Sequence, residues 1–172
     1  HTGIRRQRQM CIRDSKNPNG PADAIIEHPD VRRMLLTQRV IAEGGRAMIT
    51  HASQYADLYR NGKSTEDRKS AEQKLGFCTP ILKGFITELG VEAANLGIQV
   101  YGGHGYIKEW GMEQIFRDSK IATLYEGTTG IQALDLIGRK VLLDKFTQLK
   151  IFSKEITKFS RQTLLAAIRK GN

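Results

Sequence analysis

The chain has 172 residues, of which 40% are hydrophobic and 26% charged, and a formal net charge of +9. That length and balance suit one globular domain with a real core, while two cysteines exclude a disulfide-built scaffold and point to a reducing, cytoplasmic compartment. No apolar run approaches the ~18–20 residues of a membrane span. The basic excess lies at the ends: residues 1–15 carry +3 and residues 139–172 carry +7, which leaves −1 for residues 16–138 and argues against a nucleic-acid partner for the middle of the chain.

Residues 1–15, "HTGIRRQRQMCIRDS", have neither a helical nor a strand period and do not start with Met. They resemble translated adapter sequence, so a non-native leader is expected there, on what is expected to be a fragment of a longer protein. "KNPNGPADAIIEHPD" (16–30) reads as a loop that delivers a helix start, with Pro29 in the first turn and Asp30 set against the helix dipole. From there Val31, Met34, Leu35, Ile41, Met48, Ala52, Tyr55 and Tyr59 recur mostly at three, four and seven, the stripe of an amphipathic helix reaching about residue 60. Gly44-Gly45 interrupts it, where a neighbouring helix is expected to come close.

"NGKSTEDRKS" is a polar turn that puts Ser64 or Thr65 at the N-cap of a second helix, reaching about residue 99 with a kink at Pro80. "YGGHGYIKEWG" (101–111) then breaks the period. A short helix follows in "MEQIFRDSKIATL", and a third long one is expected near Thr128, with Ile131, Leu134, Ile137, Val141 and Leu142 at helical spacing. After Leu143 a basic amphipathic stretch carries Phe146, Leu149, Phe152, Ile156 and Phe159 on one stripe, which calls for their burial. No run alternates like a strand. The expected fold is all-α, an antiparallel helical bundle.

Five places are weighed for chemistry. Gly102, Gly103 and Gly105 would let backbone N–H groups approach a phosphate or a ring, but Lys108 stands where a dinucleotide fingerprint needs its last glycine, and a plain helix C-terminal turn explains the cluster on spacing alone. The four histidines, His1, His28, His51 and His104, have no ligand spacing, so no metal is expected. Cys78 reads as a small core residue. The basic stripe beyond residue 139 suits either a solvated bundle helix or an anionic surface. Glu126 is different, because it stands between Tyr125 and Gly127 in "LYEGTTGIQ". A carboxylate that takes a proton from carbon works when shielded from water and facing open space. Tyr125 would shield it, Gly127 would leave room for a substrate, and Thr128 or Thr129 would cap the next helix. An ordinary helix-entry turn is the competing account.

"QVYGGHGYIKEWGMEQIFRDSKIATLYEGTTGIQALDLIGRK" (99–140) resembles the C-terminal helical domain of acyl-CoA dehydrogenases, in its Q-x-x-G-G-x-G-Y, R-D-x-K-I and Y-E-G-T segments. The resemblance implies that residues 16–142 are that domain. It also implies that residues 143–172 begin an extra helical region found in a larger bacterial subgroup, which includes 3-methylmercaptopropionyl-CoA dehydrogenases. It further implies FAD-dependent α,β-dehydrogenation of an acyl-CoA, with Glu126 as the α-proton base and Tyr125 and Gly127 against the substrate. By the same resemblance Gln99, Gly102, Gly103, Thr128 and Gly130 contact FAD, the glycine loop across a subunit interface. Gly130 stands where the family often has glutamine, so only a backbone contact remains there. Arg139 lies near a substrate-contacting arginine of some relatives. A homo-oligomer and an electron-transfer flavoprotein or similar acceptor are implied as partners. The alternative is a helical oligomerisation or interaction module without catalysis.

Overall fold

The computed structural model describes residues 23–170, and every regular element among them is helical. The proposed leader and the loop up to residue 22 lie outside the described residues. The long helix α1, Pro29–Asn61, has Pro29 at its start and Asp30 in its first turn, as its sequence demands. Ser64 caps α2, Thr65–Ile81, by accepting the Asp67 N–H at 3.0 Å. Pro80 cannot donate to the carbonyl four residues back. The chain answers with a widened π-helical turn at Leu82–Ile86, and α3, Thr87–Tyr101, continues from it. Side-chain hydroxyls take up carbonyls on both sides of the turn, Thr79 Oγ1 donating to Leu75 O at 2.8 Å and Thr87 Oγ1 to Lys83 O at 2.6 Å.

The helix α1 packs against both α2 and α3. The close approach foreseen at the glycine pair holds for Gly45, where a Cβ would stand 3.6 Å from Ile86 Cγ2, but Gly44 faces open space. Beyond the glycine loop, α4, Met112–Ile121, returns along α3, with the Met112 thioether against buried Gly97. Thr128 then caps α5, Thr129–Leu134, and the helix continues as nine π-helical residues, Asp135–Leu143.

Two expectations need correction. The 3.6-residue stripe after Thr128 assumes a regular helix, but from Asp135 the π segment winds more slowly and carries Ile137, Val141 and Leu142 around the axis, while Ile131 and Leu134 lie on the regular α5 ahead of it. Only Val141 of that stripe is buried, while Ile131, Leu134, Ile137 and Leu142 are exposed. The last helix, α6, Thr147–Lys170, follows two left-handed residues, Lys145 and Phe146. Its stripe docks only in part. Phe152 rests on Phe77, ring centroids 5.6 Å apart, and Glu155 meets Lys74 at 2.6 Å, whereas Phe146, Ile156 and Phe159 stay exposed.

Candidate active site

At the end of α4 the backbone winds tightly, Leu124 and Tyr125 N–H both bonding to Ile121 O at 3.0 and 3.1 Å. Glu126 then takes φ 53 and Gly127 φ 94, which reverse the chain into α5. A left-handed glutamate is uncommon, because its Cβ crowds the following carbonyl. Such a conformation costs about 1–3 kcal/mol and survives where its surroundings enforce it.

The enforcement comes from two sides. Ahead of the turn, Lys83 of the π turn donates to Ala122 O at 2.5 Å, and its ammonium lies 5.5 Å from the Tyr125 ring centroid. Behind it, Thr128 Oγ1 accepts the Ile131 N–H at 3.4 Å and Thr129 Oγ1 donates to Glu88 Oε1 of α3 at 2.6 Å. Gln132 Nε2 reaches back to the Glu126 carbonyl at 3.3 Å. The Glu126 carboxylate itself has no hydrogen-bond or ion-pair partner among the described residues. It is exposed, and Tyr125 is 53% exposed, so within this chain the ring does not cover it.

The glycine loop is built otherwise. Gln99 accepts the Gly102 N–H at 3.1 Å, Gly102 takes φ 61, and neither Gly102 nor Gly103 has an atom within 4 Å of where a Cβ would stand. Gly105 is the reverse. A Cβ there would lie 2.5 Å from Ile98 O and 2.8 Å from Ile98 Cα, so its glycine serves packing. Glu88 sits at the start of α3, with Lys83 in the turn just before it, and Gln99–Gly103 at its end; 15 helical residues span about 22 Å. The two groups of sequence-predicted residues therefore occupy opposite ends of this chain's bundle.

Gly130 is exposed, with nothing nearer its absent Cβ than Thr128 Oγ1 at 3.9 Å. Arg139 lies on the π segment, paired with Asp135 at 2.5 Å, and is 71% exposed. Lys83, Glu88 and Gln132 escaped the sequence analysis. Gln132 carries a local signal, one helical turn past a threonine cap; the Glu88–Thr129 bond spans 41 residues and has none. The described residues contain no group of three His, Cys, Asp or Glu side chains able to hold a metal, and no helix long and apolar enough to cross a membrane.

Comparison with known proteins matches residues 2–142 to the family model for the C-terminal domain of acyl-CoA dehydrogenases. The 3-methylmercaptopropionyl-CoA dehydrogenase of Ruegeria pomeroyi is 52% identical over 120 residues, 70% of this chain and 20% of that protein. A butyryl-CoA dehydrogenase of Syntrophomonas wolfei is 37% identical over 145 residues, 84% of this chain and 24% of the relative. A broad-specificity linear acyl-CoA dehydrogenase of Mycobacterium tuberculosis is 37% identical over 140 residues, 81% of this chain and 23% of the relative. The chain thus spans between a fifth and a quarter of these relatives' length. With an all-helical bundle, the Y-E-G-T turn and the glycine loop all in their expected order, the chain belongs to the acyl-CoA dehydrogenase family.

Proposed function

We propose that this chain is the C-terminal domain of an FAD-dependent acyl-CoA dehydrogenase and that Glu126 removes the α-proton of an acyl-CoA thioester. The observation that carries this is Glu126 itself: a glutamate at φ 53, braced from both sides, whose carboxylate makes no structural contact among the described residues. A surface acid has no need of that backbone, and a helix-entry turn needs only the Thr128 cap. Strain held in place around an unused carboxylate is what a base aimed at a substrate requires.

Gly127 lies along the thioester and Tyr125 against the acyl group, with Arg139 a further substrate contact. FAD, when bound, accepts the β-hydrogen as hydride and supplies the electron sink. The open space around Gly102 and Gly103 suits a large planar or phosphate-bearing group approaching the backbone, so Gln99, Gly102 and Gly103 fit as flavin contacts, with Thr128 and Gly130 at the other end of the bundle. That separation along α3 supports a homo-oligomer in which the loop serves a neighbouring copy's flavin. Electrons pass on to an electron-transfer flavoprotein or similar acceptor. The shielding a carbon-acid base needs then comes from surfaces outside this chain, and the isolated chain is inactive, since a partial site must offset the full cost of association.

The test is anaerobic flavin bleaching by a panel of acyl-CoAs, on the full-length protein and its Glu126→Gln variant. A loss of about 10²–10⁴-fold in the variant is the expected result. A variant that bleaches as fast removes Glu126 from the mechanism. A full-length protein that binds no flavin leaves the oligomerisation module, which the exposed apolar row Leu134, Ile137 and Leu143 also favours.

A further inference from the structure

We infer that Gln132 is a positioning residue for the Glu126 carboxylate, holding the left-handed turn closed from behind while Glu88 locks the helix that carries it. The inference rests on the base assignment for Glu126 and goes beyond it by naming what aims the base. Gln132 Nε2 donates to the Glu126 carbonyl at 3.3 Å, so it holds the peptide that follows the acid rather than the acid itself. The same amide lies 2.7 Å from where a Cβ on Gly127 would stand, so it covers the open face of that glycine. The Gln132 Cβ lies 3.6 Å from where a Cβ on buried Gly84 would stand, so the side chain is rooted against the π turn.

The helix behind it is fixed independently. Thr129 Oγ1 donates to Glu88 Oε1 at 2.6 Å, and the Gln132 N–H bonds to Thr128 O at 3.0 Å. On the far side Lys83 ties Ala122 O and stands over Tyr125. Glu126 and Gly127 are thus the only two positive-φ residues of a turn whose flanks are both tied to the Lys83–Glu88 segment. Within that frame the Gln132 amide is bonded to the carbonyl of the peptide between them and so resists its rotation. Loss of that amide lets the carboxylate drift by an ångström or so without unfolding anything, and drift on that scale costs a rate up to about 10²-fold through orientation alone.

The experiment compares wild type, Gln132→Met and Glu126→Gln in the full-length flavoprotein. Methionine keeps the bulk over Gly127 and lacks the donor. The expected result is a kcat for Gln132→Met reduced roughly 10- to 100-fold, with KM, flavin content and melting temperature near wild type. The kinetic isotope effect from an α-deuterated acyl-CoA should also rise, because proton removal has become the slow step; a merely structural role would not move it. Gln132→Ala, which also removes the bulk, should be slower still. If Glu126→Gln is dead while Gln132→Met matches wild type in kcat and isotope effect, the positioning role is wrong and the base assignment stands. If Gln132→Met loses flavin or melts markedly lower, and its flavin-loaded fraction turns over at the wild-type rate, the residue is structural and the inference is overturned. If Glu126→Gln keeps its activity, the base assignment fails and the inference falls with it.

Discussion

The two glycine-bearing turns of this chain look alike in sequence and are built for opposite ends. At Gly102-Gly103 the backbone stands in open space, with nothing among the described residues within 4 Å of where either Cβ would stand. At Glu126-Gly127 the turn is strained and held by Lys83, Glu88–Thr129 and Gln132. An open glycine offers backbone to something that arrives. A braced one fixes the direction of its neighbour. Gly105, three residues past Gly102, shows a third use, since it is glycine only because Ile98 leaves no room.

The contrast is broken most sharply at Gly105. Alanine there would set a methyl against the Ile98 backbone, and a melting-temperature drop equivalent to about 1–3 kcal/mol is expected. Gly103→Ala should stay within about 0.5 kcal/mol of wild type yet lower flavin retention in the full-length protein. Equal destabilisation by the two changes would erase the distinction between the glycines. Thr128→Ala comes next, removing the cap behind the braced turn at a cost of about 1 kcal/mol by chemical denaturation.

The start at Pro29 was legible, and the two caps to within one residue (Ser64 or Thr65, Thr128 or Thr129), because each is chemistry within a few residues; the structure selects Ser64 and Thr128. The Y-E-G-T turn was legible as an oddity of composition. The left-handed Glu126 and its distant braces were not, because residues 83 and 88 are brought to the turn by the bundle, across 39 and 41 residues. From Asp135 onward the apolar stripe misled for a physical reason: its spacing presumes 3.6 residues per turn, and the π-helical segment does not keep that period. On α6 the apolar spacing was real, but docking stops near Glu155.

The smallest effect sharpens that last boundary. Hydrogen bonding to Glu155 raises Lys74 above the ordinary lysine range, and burial, with the Glu155 carboxylate adding to it, pushes the Cys78 thiol up. A lysine raised on folding contributes its stability below the unfolded pKa and loses it as pH climbs through the folded one. On the lysine side the docking of α6 should therefore hold through neutral pH and weaken in strong alkali. Because both partners are partly exposed, Lys74→Met should cost at most about 1 kcal/mol. In a Cys11→Ser background Glu155→Gln, which breaks the same pair and removes the carboxylate that pushes the thiol up, should speed alkylation of half-buried Cys78, which shares a crevice with Phe152 and Glu155. An unchanged alkylation rate would mean that Phe152 alone seats the helix.

The central claim is that Glu126 takes a proton from carbon, and the most direct measurement follows that proton. The full-length protein and Glu126→Gln would be incubated anaerobically with an acyl-CoA in deuterium oxide, and deuterium at the α-carbon read by NMR. The account predicts exchange at the α-carbon with the wild-type protein and its loss with the variant. Exchange that continues undiminished without the Glu126 carboxylate would contradict it.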